Sequence, residues 1–79
     1  MQYDLGKIDE AALALLGAFM QSDSGVSWSW KSLDWEVTSR LHERGLIQDP
    51  RSKNKSIAFT PEGAAAARAA ADKLFARGR

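Results

Sequence analysis

Seventy-nine residues, 44% apolar and 27% charged, fit one small folded domain, residues 1–79, and exclude wholesale disorder. The chain has no cysteine, which excludes disulfides, thiol nucleophiles and cysteine metal sites and fits a reducing cytoplasm. The net charge is only +1, but residues 1–50 sum to −4 and residues 51–79 to +5, so a basic region that meets phosphates is one expectation.

No apolar run approaches membrane-spanning length, and the acidic start MQYDLGKIDE does not read as a signal or transit peptide. Asp4 or Asp9 can cap a first helix. Ile8, Ala12, Leu15, Leu16, Phe19 and Met20 recur at helical period and form one apolar stripe, which predicts a helix over about residues 5–21. The run QSDSG, residues 21–25, then favours a turn.

Three tryptophans follow within VSWSWKSLDW. Val26, Trp28 and Trp30 alternate with serines, which leaves a short strand and an irregular helical turn both open. A small core needs ring area, so most of it is expected to be buried. Ser32 is the expected N-cap of a second helix, 33–44, with Asp34 in its first turn. Leu33, Val37 and Leu41 make a core face. Trp35, Thr38, Ser39 and His42 lie opposite, and Glu36 can pair with Arg40 four residues on.

Gly45 suits the left-handed position after that helix. Leu46–Gln48 and Ser56–Phe59 read as two strands joined by a basic loop, residues 49–55. Thr60 caps a last helix with Pro61 at its first position, running to about Arg77 and ending at Gly78. Ala67, Ala70, Ala71, Leu74 and Phe75 make its expected inner face, and its small residues allow close helix approach within the domain or across a dimer.

The order helix, tryptophan-rich element, helix, hairpin, helix predicts a small α+β domain, and it resembles a winged helix-turn-helix. RLHERGLI (residues 40–47) followed by IAFTPEG (57–63) carries that resemblance. It implies a recognition helix, a hairpin wing and a helix restarted at Thr60. Ser24 to Ser32 leaves little room for the usual second helix. More narrowly, residues 34–63, with the segment D-W-x-V-x-x-R-L-H-E-x-G-L-I, resemble a bacterial family of short proteins of unknown function; Trp30-Lys31 and Tyr3-Asp4 fit it too. That resemblance implies a fold and no activity.

Catalytic patterns are absent. His42 is the only histidine, which excludes a multi-histidine metal site in one chain, and no nucleophile motif or glycine-rich phosphate loop occurs. Asp34 and Glu36 point to different sides of a helix. No enzyme, cofactor or metal is therefore expected.

Two binding classes remain. In the first, Arg51, Lys53 and Lys55, with Ser52 and Asn54, follow a DNA backbone from the wing, and Thr38, Ser39 and Arg40 lie nearest the bases. Arg68, Lys73, Arg77 and Arg79 can add phosphate contacts. Glu36 and Glu43 oppose this reading, and about three wing contacts make binding weak and salt-sensitive unless a homodimer doubles them. A charged hairpin tip also serves simply to keep an edge strand soluble. In the second class, Trp35 and His42, with Trp28 or Trp30 beside them, anchor a protein partner. The sequence reading favours a cytoplasmic DNA-binding regulator, with the protein-interaction module as its alternative.

Overall fold

Asp4 begins the first helix: its Oδ1 accepts the Lys7 amide at 3.1 Å. In the computed structural model, which describes residues 2–30, 33–51 and 55–77, the chain runs α1 (Leu5–Ala18), β1 (Gln21–Asp23), β2 (Val26–Trp30), α2 (Trp35–Glu43), β3 (Ser56–Ala58) and α3 (Pro61–Phe75). This is a small α+β fold with a winged-helix-like order, its antiparallel sheet ordered β1-β2-β3. Among the described residues, no helix is long and apolar enough to cross a membrane.

The buried side of α1 is not the expected stripe. Asp9, Ala12, Leu13, Ala14 and Leu16 are inside, whereas Ile8, Leu15 and Phe19 are exposed. Contact with α3 sets this rotation. A Cβ placed on Gly17 would lie 2.2 Å from the Ala67 carbonyl oxygen, so the two backbones touch where neither carries bulk. The alanine-rich α3 buries Gly63, Ala64, Ala67 and Ala70. Leu74 and Phe75, expected inside, are exposed, and the helix stops at Phe75.

The segment QSDSG holds a strand as well as a turn. Ser24 (φ 54°) and Gly25 (φ 83°) are both left-handed, which is the geometry of a two-residue hairpin turn. That turn joins β1 to β2 in the register Asp23↔Val26 and Gln21↔Trp28. β2 then pairs with β3 through Trp28↔Ala58, Ser29↔Ile57 and Trp30↔Ser56.

In β2 the serine side faces the core. Ser29 is buried opposite buried Ile57, while Trp30 is exposed and Trp28 half-buried. The expected burial of most tryptophan area therefore fails. Ile57 and Phe59 already fill the inner layer, and a small serine opposite them leaves room that an indole would not.

Helix α2 starts at Trp35 with Asp34 in the capping position, though the Asp34 side chain makes no cap hydrogen bond. The expected cap Ser32 lies outside the described residues. Val37 and Leu41 are buried and Leu33 packs against the core. Gly45 (φ 75°) closes the helix: its N–H donates to the His42 carbonyl at 2.9 Å and Leu46 N–H donates to the Leu41 carbonyl at 3.0 Å. This pair of bonds is a Schellman motif.

The expected strand Leu46–Gln48 is reduced to a single bridge, Ile47↔Phe59. Gln48 N–H still donates to the Ala58 carbonyl at 2.8 Å, and Thr60 N–H to that of Leu46 at 3.1 Å. Pairing stops there because Pro50 has no N–H to offer a ladder. Thr60 then locks two helix ends together. Its Oγ1 accepts the Gly63 amide at 2.9 Å, starting α3, and donates to the Gly45 carbonyl at 2.6 Å, at the end of α2.

Candidate interaction site

Helix α2 carries Trp35, Ser39, His42 and Glu43 at spacings of four, three and one, so all four share one side. Across from them the chain after Ile47 turns through Asp49, Pro50 and Arg51. These seven residues line a cavity of about 230 Å³ between α2 and this turn. Trp35 is 50% exposed at its edge.

His42 Nδ1 lies 3.0 Å from the Ile47 carbonyl oxygen. A carbonyl only accepts, so Nδ1 carries the proton and the ring orientation is set by the backbone. Facing it, Asp49 receives the Arg51 amide at 2.9 Å, Arg51 Nε at 3.0 Å and Arg51 Nη2 at 2.6 Å. The Arg51 side-chain bonds, then its backbone bond, hold the Asp49 carboxyl well below the usual carboxylate range. Both groups are solvent-exposed, so water and salt screen the pair. The motif D-P-R, an aspartate opening a turn, is the sequence signal that could have found it.

The residues read as base contacts are elsewhere. Thr38 is 1% exposed, and its Oγ1 donates to the Trp35 carbonyl at 3.1 Å. Arg40 pairs with Asp9 of α1 and not with Glu36: Nε–Oδ2 is 2.8 Å and Nη2–Oδ1 is 2.7 Å. Neither side chain is presented to a base edge. Ser39 is half-buried at the cavity. Arg51 is tied to Asp49, Lys55 is exposed, and Ser52, Lys53 and Asn54 lie outside the described residues.

On α3, Lys73 is bonded to Glu10 at 2.8 Å and Arg68 is exposed; Arg77, beyond the end of α3, is exposed too, and Arg79 is outside the described residues. Trp28 and Trp30 do not join the Trp35 cavity. Their rings meet edge to face, 5.2 Å apart, and line a separate groove on the sheet that shares only Asp49 with it.

Sequence reading also missed the Asp9–Arg40 pair. The partners are 31 positions apart, and only the rotation of α1 turns Asp9 inward to 4% exposure. The Arg40 hydrogen bond holds the Asp9 carboxyl below its ordinary value of 3.8, against the opposing effect of burial. A folded-state pKa below the unfolded one contributes stability above the unfolded value, lost as pH falls through the folded value. The pair should therefore lose its effect below about pH 4. In thermal melts at about pH 7 and about pH 2.5, wild type is expected to lose more Tm on acidification than Asp9→Asn does. Equal losses would show that the pair does not couple proton uptake to unfolding.

Among the described residues, no group of three or more histidines and carboxylates is placed to hold a metal. The exposed side of α2 is acidic, with Asp34, Glu36 and Glu43 against Arg44, since Arg40 is neutralised by Asp9.

Fold and site together define a small α+β protein, consistent with a winged-helix-like domain, with an aromatic, acid-flanked pocket beside α2. The chain belongs to the family described as Domain of unknown function (DUF6429), which it matches over residues 4–77. It is similar to the uncharacterized protein y4hR of Sinorhizobium fredii (strain NBRC 101917 / NGR234), 44% identical over 77 residues that cover 98% of this chain and 100% of that one. No solved structure matches the chain.

Proposed function

We propose that this is a non-enzymatic protein-interaction module, and that the Trp35 pocket takes a basic segment of a partner protein. The observation that carries the reading is a half-exposed Trp35 beside His42 on an acidic helix, while Thr38 and Arg40 are committed to internal bonds. A partner's arginine or lysine can lie over the indole face, a cation–π contact, with Glu36 or Glu43 as counter-charge. The same carboxylates repel phosphates, so α2 is poorly suited to a DNA groove. The cavity is also smaller than the roughly 300–1,000 Å³ of small-molecule sites, which suits one anchoring side chain.

Nucleic-acid binding is the second reading. The exposed Lys55 and the excess of bases after residue 50 support it. Anisotropy of a labelled mixed-sequence duplex at about 20 and about 200 mM salt separates the two. The interaction reading expects no DNA binding up to high micromolar protein. It also expects cross-linking in native cells to join wild type to a protein that Trp35→Ala no longer captures. Low-salt DNA binding that collapses at high salt, and is abolished when Arg51, Lys53 and Lys55 are replaced by alanine without loss of Tm, would assign the wing to phosphates instead.

A further inference from the structure

Residues 11–20, AALALLGAFM, carry no charge at all. Only one side of that run is used by the core. The other side leaves Ala11, Leu15, Ala18 and Phe19 exposed and wholly apolar. Leu5 and Ile8 of α1 are exposed as well, and Phe19 sits at the C-cap of the helix. Phe19 is 67% exposed. Beside it, Leu15, Phe19, Trp30 and Leu33 line an open groove of about 510 Å³, with Trp30 57% exposed.

We propose that a second copy of this chain covers this face, α1 against α1 about a twofold axis near the exposed Ala11. Exposed Ile8 lies three positions before that residue and exposed Leu15 four after it. A twofold contact needs a surface that complements itself, and an uncharged apolar face can do so when the helices run antiparallel. A parallel pairing would set Lys7 against its own copy, whereas antiparallel pairing brings Asp4 and Lys7 over the uncharged end of the other helix. Exposed Ala11 and Ala18 keep this face low and let the helices approach.

The area agrees with a second copy. With aromatic side chains counted at roughly 150–250 Å² and aliphatic ones at roughly 100 Å², Leu5, Ile8, Leu15, Phe19 and Trp30 expose about 400 Å² of apolar surface per copy. A standard interface of about 1,200–2,000 Å², about 65% apolar in homodimers, needs about 400–650 Å² from each side.

The surface is distinct from the Trp35 pocket, so the two readings fail separately. Sedimentation equilibrium over a micromolar dilution series tests it on the full chain. Wild type is expected at twice the 8.7 kDa chain mass, and Leu15→Glu and Phe19→Glu at one chain mass with helical circular dichroism unchanged. Trp35→Ala should remain dimeric. Because the chain lacks cysteine, Ala11→Cys gives a second test that needs no disruptive change. Oxidation should trap it as a disulfide dimer, and the exposed Glu62→Cys should form no disulfide cross-link under the same conditions. A wild-type monomer throughout the series, or a dimer that survives both glutamate substitutions, would overturn the proposal.

Discussion

Gly63→Ala is expected to lower Tm by about 12–24 °C. The reason is backbone contact. A Cβ at Gly63 would lie 1.5 Å from the Leu46 carbonyl oxygen and 2.4 Å from its carbon. No rotamer relieves such an overlap, because the first side-chain atom itself collides. Either α3 retreats or the turn at Gly45–Leu46 does, and both are joined by the Thr60 bond to the Gly45 carbonyl. Retreat also uncovers Leu46, Ala64 and Ala67, all core residues.

Overpacking costs about 1–3 kcal/mol in ordinary cores, and a collision with main chain belongs at the upper end, about 3 kcal/mol. For a chain of this size each kcal/mol moves Tm by about 4–8 °C. Differential scanning calorimetry of the variant against wild type measures the shift. Ala65→Gly, exposed on the same helix, should cost only about 1 kcal/mol. A Gly63→Ala variant as stable as wild type would mean that α3 does not dock on Leu46.

The second large effect is expected at Leu41. Its side chain is fully buried at 0% exposure, in the cluster with Leu16, Val37, Ile47 and Phe59. Truncation to alanine removes its packing and leaves a cavity that the short elements around it cannot fill. About 2–5 kcal/mol is the expected loss. A chain of 79 residues has about 4–12 kcal/mol in total, so the variant is at or near the limit of folding at 25 °C. Urea unfolding followed by tryptophan fluorescence gives the number. A midpoint equal to that of wild type would show that Leu41 is not part of the core.

These two positions also tie stability to the proposed interaction site. Leu41 carries the buried side of the helix whose other side presents Trp35, Ser39 and His42. The Gly45–Thr60–Gly63 junction sets the direction in which the chain leaves that helix toward Asp49 and Arg51. The pocket is thus a consequence of how α2 ends, and a variant that loosens the junction should lose partner capture along with Tm.

Local rules were legible in the sequence wherever one residue type has one mechanical use. Asp4 and Thr60 cap helices, Gly45 closes one, Pro61 opens one, and the order of elements gives the α+β class. Val37 and Leu41 were readable as core because α2 is short and has one apolar side.

Other features required the fold. Helix α1 is apolar on more than one side, so periodicity alone admitted several rotations, and the closest approach of Gly17 to Ala67 selected one of them. That choice turned Asp9 inward to meet Arg40, removing a base-contact candidate, and turned Leu15 and Phe19 outward. In β2 the alternation showed two faces but not which was inside; the space taken by Ile57 and Phe59 decided that serine would be. Thr38 looked exposed on a helical projection, yet tertiary packing covers it and its hydroxyl is satisfied within α2. By itself the sequence determined where the chain bends, caps and starts again, because those choices depend on a few neighbouring atoms. Which face of each element is covered was decided only in three dimensions, because burial depends on the bulk that other segments bring to the same space.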